Sequence, residues 1–174
     1  MTNQEIQTMV YRYHIEETSD GRIKFYKMPG MTDEDVERVK AAKPEILAFF
    51  EWKKERDERR TKTFESIPGV VELRDALIEM ENYNRELNKA MERDAGVYPQ
   101  PPAVGRDEIR ILKRKYPEAV FALAVENGRF KTNCELADIA EKAYHALCDG
   151  RPWQEVKSEY EADMKNFVKE HMWD

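Results

Sequence analysis

Glycine and proline constrain this chain more than any other feature, because they cut it into short segments with little freedom each. Glycine stands at 21, 30, 69, 96, 105, 128 and 150, and proline at 29, 44, 68, 99, 101, 102, 117 and 152. Glycine admits left-handed backbone and proline opens or interrupts helices, so these positions read as turns, caps and helix starts. Between them apolar residues recur mostly at helical spacing, and in one region with a period of two. The expected fold is mainly α with an N-terminal β-hairpin, an α+β chain. No apolar run comes near the roughly 18 residues of a membrane span, so none is expected.

The apolar inventory then limits the core. Charged residues make up 37% of the chain, and Leu, Ile, Val and Phe together number 35 of 174 residues. That is close to the floor of about 20% below which chains stay disordered. A net charge of -6 is small for this length, and three Trp and eight Tyr remain for burial. The chain is expected to fold around a thin core.

Residues 9–16 (MVYRYHIE) alternate, Ser19-Asp20-Gly21 supplies a turn, and residues 22–26 (RIKFY) alternate again. This pattern predicts the hairpin. Thr32 is the expected N-cap of a short helix, with Asp33, Glu34 and Asp35 in its first turn. Lys43-Pro44 restarts a second helix, whose Ile46, Leu47, Phe49, Phe50 and Trp52 are the expected N-terminal core. These parts form a module over 1–52. A helical hairpin arm and a Pro-rich linker are expected over 53–105, and a C-terminal helical subdomain over 106–174. Whether residues 117–149 form one helix or two is open.

Within the arm, Leu73, Leu77, Met80, Asn84, Leu87 and Met91 are spaced 4, 3, 4, 3 and 4. This is a coiled-coil heptad with one polar position, which can fix register. The stripe suits either intrachain packing on the preceding arm or a homodimer. Tyr98 to Pro102 reads as a linker.

Charge alternates in blocks. Residues 53–63 carry six positive and three negative charges, and residues 106–115 five and two. Residues 70–96 and 154–174 are each acidic by three. Such blocks brace neighbouring helices or solvate faces. Direct nucleic-acid binding is the less favoured alternative, through Lys53, Lys54, Arg56, Arg59, Arg60 and Lys62, or through Arg106, Arg110, Lys113, Arg114 and Lys115. A protein surface that imitates a DNA backbone would use Asp33, Glu34, Asp35 and Glu37, or Glu155, Glu159 and Asp163. The last three share a helix face at about 6 Å intervals, near the phosphate spacing of a strand. An ordinary solvated face is the plainer reading of both.

The sequence offers no chemistry of bond making. His14, His145 and His171 are scattered, and no nucleophile elbow, Walker loop or dinucleotide fingerprint occurs. His145 and Cys148 share a helix face, but Cys134 lies about three turns away and no fourth ligand is evident, so a structural zinc site is not expected. The chain is expected not to be an enzyme and to use no cofactor or metal. The start shows no basic and apolar leader, and the two cysteines cannot pair along one helix, which fits free thiols in a cytoplasm.

Two stretches carry a resemblance. The hairpin region followed by Thr32, Val39-Lys40-Ala41-Ala42-Lys43 and Glu45-Ile46-Leu47 resembles the docking module at the N-terminus of tubulysin-type synthetase subunits. Lys115-Tyr116-Pro117, Ala143, Leu147, Asp149-Gly150, Glu159 to Met164 and His171 to Asp174 are similar to small phage and mobile-element proteins of Firmicutes. Glu126-Asn127-Gly128-Arg129 stands where those proteins have uninterrupted helix. Some proteins of this look resemble anti-CRISPR proteins. The resemblance implies a stoichiometric inhibitor in a bacterial host cell. Its partner would be a type II Cas nuclease or the nuclease–guide RNA complex, and it would block DNA binding or cleavage. The alternative is a phage replication or assembly adaptor that docks a protein partner.

Overall fold

The computed structural model describes residues 1–26, 29–93 and 96–171. Residues 94–95 of the expected arm and the closing Met172, Trp173 and Asp174 lie outside the described residues. Those residues form eight helices and one two-stranded antiparallel sheet, a mainly helical chain with an N-terminal hairpin. Two compact units follow one another, Met1–Arg59 and Arg60–Asp174.

The first unit opens with a helix where the alternation predicted a strand. Helix α1 spans Asn3–Arg12. Its start is a capping box: Thr2 Oγ1 accepts the Glu5 N–H at 3.3 Å, and Glu5 Oε2 accepts the Thr2 N–H at 2.7 Å. Ile6, Met9 and Tyr13, spaced three and four apart, are buried, while Tyr11 is left 65% exposed. The end is equally specific. The His14 N–H bonds Tyr11 O and the Ile15 N–H bonds Val10 O. This is the Schellman pattern, in which the residue past the cap is left-handed. Here that residue is His14, with φ 46°.

The hairpin is accordingly shorter than residues 9–16 and 22–26. Strands β1 (Glu16–Glu17) and β2 (Ile23–Lys24) pair Glu16 with Lys24 and Glu17 with Ile23. Thr18 and Arg22 close the turn, with the Thr18 N–H on Arg22 O at 2.7 Å. Helix α2 (Asp33–Ala41) carries a second capping box, between Thr32 and Asp35. Helix α3 (Lys43–Glu65) follows at once. Ile6, Met9, Ile15, Val39, Ile46 and Phe49 form the heart of this core. Trp52, expected inside it, is 38% exposed. It lies one turn past Phe49, the last residue of α3 buried in this core, with its ring 5.8 Å from that of Phe49.

The boundary between the units falls inside α3, and the end of that helix serves the second core. Phe64 is 1% exposed there, and its ring lies 4.9 Å from that of Tyr144. Helices α4 (Val70–Glu92), α5 (Arg106–Lys115), α6 (Pro117–Gly128), α7 (Cys134–Cys148) and α8 (Trp153–His171) complete the unit. Residues 117–149 are therefore two helices, the second capped by Asn133, whose Oδ1 accepts the Leu136 N–H at 3.1 Å. Helix α6 is central and packs against α4, α5, α7 and α8. Its body is largely apolar, with Ala119, Phe121, Ala122, Leu123 and Val125 buried, as such a position requires. Small residues let it approach α7: a Cβ added at Gly128 would lie 2.8 Å from Ala140 Cβ. Arg74 ties α4 to α6 through both oxygens of Glu126, at 3.0 and 3.2 Å.

Candidate functional site

The concave feature of the first unit with convergent charged groups is a cleft of about 320 Å³ between α1 and α3. Each helix contributes one face at successive-turn spacing. From α1 and its cap come Gln7, Val10, Tyr11 and His14; from α3 come Phe49, Phe50, Lys53 and Arg56. Ile15 and Glu16 close one end. The capping box of α1 and the Schellman turn fix the first face, and burial of Ile46 and Phe49 fixes the second.

The floor is apolar, from Val10, Ile15, Phe49 and Phe50, and the rim is mostly cationic. Lys53 makes no ion pair among the described residues and is exposed. Arg56 is held in place: its guanidinium lies 4.8 Å from the Trp52 ring, and Nε and Nη2 both donate to Asp57 Oδ1, at 3.2 and 3.1 Å. A planar guanidinium already stacked and paired loses little freedom when it meets an anion. The His14 imidazole is exposed at the lip. A non-glycine residue in left-handed backbone costs about 1–2 kcal/mol, and such strain gathers at sites of use. Next to an apolar floor these charges act in a lower effective dielectric than in free water.

The acidic candidates are differently placed. Asp35 is a structural residue: it caps α2 and accepts the Tyr13 hydroxyl. Glu37 pairs with Lys40 at 2.7 Å, while Asp33 and Glu34 are exposed in the first turn of α2. On α8, Glu159 takes both ends of the Arg151 guanidinium at 3.0 and 2.6 Å, which lowers its carboxyl below the usual range. Glu155 lies 3.8 Å from the same arginine, and Asp163 accepts from Lys142 at 2.8 Å. The face that spacing offered as a phosphate imitation is thus largely neutralised by its own chain.

The heptad stripe of α4 divides in two. Leu73 is buried, and Leu77 and Met80 are partly buried and pack against the second core. Asn84 and Leu87 are half-buried, and Met91 is 61% exposed. Cys134 is exposed and Cys148 buried, at opposite ends of α7, and His145 faces Glu141 at 2.8 Å. Among the described residues no group of three or more His, Cys, Asp or Glu could hold a metal ion.

Sequence reasoning picked out Lys53 and Arg56, but as part of a nucleic-acid patch, and missed Gln7, Tyr11 and His14 altogether. The Thr2-x-x-Glu5 box was the signal that α1 existed and that these three share a face.

No family model matches this chain, and no curated protein and no solved structure matches it.

Proposed function

We propose that this chain is a non-enzymatic protein-binding adaptor, and that the α1–α3 cleft docks an acidic amphipathic helix of its partner. The observation that carries this reading is the pairing of an apolar floor with the unpaired Lys53 and the preset Arg56. Two helix faces side by side make the groove into which a third helix lays an apolar stripe, and the cations select carboxylates on its flanks. The narrower identity implied by the resemblance, a stoichiometric inhibitor of a type II Cas nuclease, is one instance of this class. It rests on that resemblance alone, and the paired acidic face of α8 supports an acceptor of acidic segments more than a copy of DNA.

The test uses fluorescence anisotropy with two labelled helical peptides that share leucines at i, i+3, i+4 and i+7. One carries glutamate on its flanks and the other lysine. The glutamate peptide binds the wild type, and Lys53→Glu with Arg56→Glu reduces that affinity at least about tenfold, or 1.4 kcal/mol. Equal binding of both peptides, or no effect of the charge reversal, would overturn the reading. In parallel, the chain is titrated into a type II Cas nuclease–guide complex while DNA cutting is followed. Absence of inhibition and of co-elution removes the nuclease as partner and leaves the peptide result to stand or fall by itself.

A further inference from the structure

A second concave surface lies in the other unit and has the opposite polarity. Between α4 and α5 runs a groove of about 510 Å³, with Ala76, Val104, Ile111 and Leu112 as its apolar wall and floor. Glu72, Asp75 and Glu79 of α4, and Glu108 of α5, stand around it. Among the described residues none of these four is in an ion pair; Glu79 only accepts the Ala103 N–H, at 2.9 Å. This is unlike the acidic residues of α8, which find cations within the chain. Lys115 of α5 acts on Glu72 only from beyond ion-pair distance, and carboxylates in this excess around an apolar trough attract a cationic, apolar helix.

The chain carries such a helix beside the groove. Helix α5 has five cationic residues, yet Ile111 on it is 61% exposed. Arg114, one turn beyond Ile111, is exposed and makes no ion pair among the described residues. Arg110, one turn before Arg114, is exposed and pairs only with Asp107, at 3.1 Å. At 100° per residue, moving around α5 away from the groove meets Ile111, then Asp107 and Arg114 before and after it along the helix, then Arg110, the partner of Asp107. The patch therefore reads acid, apolar trough, isoleucine, and a stripe of two arginines against one aspartate, in one direction. Turned about a two-fold axis, that order is its own complement.

We infer that the α4–α5 face is a homodimer interface in which Ile111 of each copy enters the groove of the other. Arg114 and Arg110 of one α5 then meet Asp75, Glu72 and Glu79 of the other α4. This surface is distinct from the α1–α3 cleft, and its failure would leave the adaptor reading intact.

Sedimentation velocity on the full chain tests it, with circular dichroism to show that each variant is folded. The wild type is expected to sediment at twice the 20.6 kDa chain mass, with dissociation promoted by salt. Asp75→Lys and Arg114→Glu are each expected to raise the dimer dissociation constant at least about tenfold, since each change occurs twice in a symmetric interface. An equimolar mixture of the two variants restores the dimer, because both contacts then pair opposite charges. Ile111→Ser, which changes no charge, is also expected to be monomeric. A wild type that stays monomeric at millimolar concentration overturns the inference, as does binding of a lysine-flanked helical peptide to the groove without self-association. A dimer indifferent to Asp75→Lys but abolished by Leu87→Lys overturns it in favour of the distal stripe of α4.

Discussion

The Tyr13 hydroxyl donates to Asp35 Oδ1 at 2.8 Å, joining the end of α1 to the first turn of α2. The same carboxylate accepts the Thr32 N–H at 2.9 Å through its other oxygen. One side chain therefore serves a helix cap and a contact between helices 22 residues apart in sequence.

That double use makes Asp35 an acid-sensitive joint. The Thr32 backbone N–H, then the Tyr13 hydroxyl, hold its carboxyl down to about 2, against an ordinary 3.8. A carboxyl depressed on folding stabilises fully above its unfolded value and loses that contribution as pH falls towards the folded one. Asp35→Asn is thus expected to lower Tm at neutral pH, and the gap to wild type should close between about pH 4 and about pH 2. Tyr13→Phe lowers Tm less, since the cap survives. Thr32→Ala costs about 0.5–2 kcal/mol. Thermal melts by circular dichroism across that pH range check all three.

His14 combines a left-handed backbone, φ 46°, with a place at the lip of the cleft. Glycine adopts left-handed backbone without the cost that a Cβ brings, so His14→Gly is expected to stabilise the first unit by about 1 kcal/mol. The same change removes an imidazole from the cleft and should weaken capture of the glutamate-flanked peptide. A variant that melts higher and binds less well would mark His14 as kept for binding. One that melts lower would show that the imidazole has a structural partner.

Gly69 is needed for two reasons at once. It has φ 77°, and a Cβ placed there would collide with the Tyr116 ring. Gly69→Ala is expected to cost at least about 2 kcal/mol in chemical denaturation, combining left-handed strain with overpacking. Adding Tyr116→Gly, which removes the Cβ that would lie 2.7 Å away as well as the ring, should relieve the collision while leaving the backbone strain at position 69.

The two thiols should differ sharply in reach. Cys134 is exposed at the start of α7, whereas Cys148 is buried and its burial pushes the thiol up. Tyr144 is raised to about 12 beside it, again by burial first. Iodoacetamide near neutral pH is expected to label Cys134 roughly tenfold or more faster than Cys148, whose labelling should follow unfolding. Mass spectrometry of digests taken over time reads the order directly.

Apart from the break between α6 and α7, which the sequence left open, the helices from α2 onward were legible because each begins or ends on punctuation that physics makes hard to evade. Thr32, Pro44, Gly69, Pro117 and Pro152 all stand at or beside a helix start. Helix α1 was not legible from periodicity alone, since Val10, Tyr11, Tyr13 and Ile15 fit a two-residue period as well as they fit a helix end. Only the Thr2–Glu5 box separated the two readings. The pairing of the α8 carboxylates was not legible for a different reason. Arg151 and Glu159 are eight residues apart and Lys142 and Asp163 are 21, so neutralisation depends on packing that charge counts cannot see. The cleft likewise joins residues of α1 to residues more than thirty positions later.

The seam where Gly128 meets Ala140, in a core that also buries Ala119, Ala122 and Ala143, has a consequence for how this protein can change over generations. Side chains this small have almost nothing left to lose, so the gradual erosion that hollows leucine-rich interiors has no purchase here. Nearly every codon change at these positions adds atoms where the helices already touch. Drift is therefore one-sided: the seam is either kept as it is or wedged open.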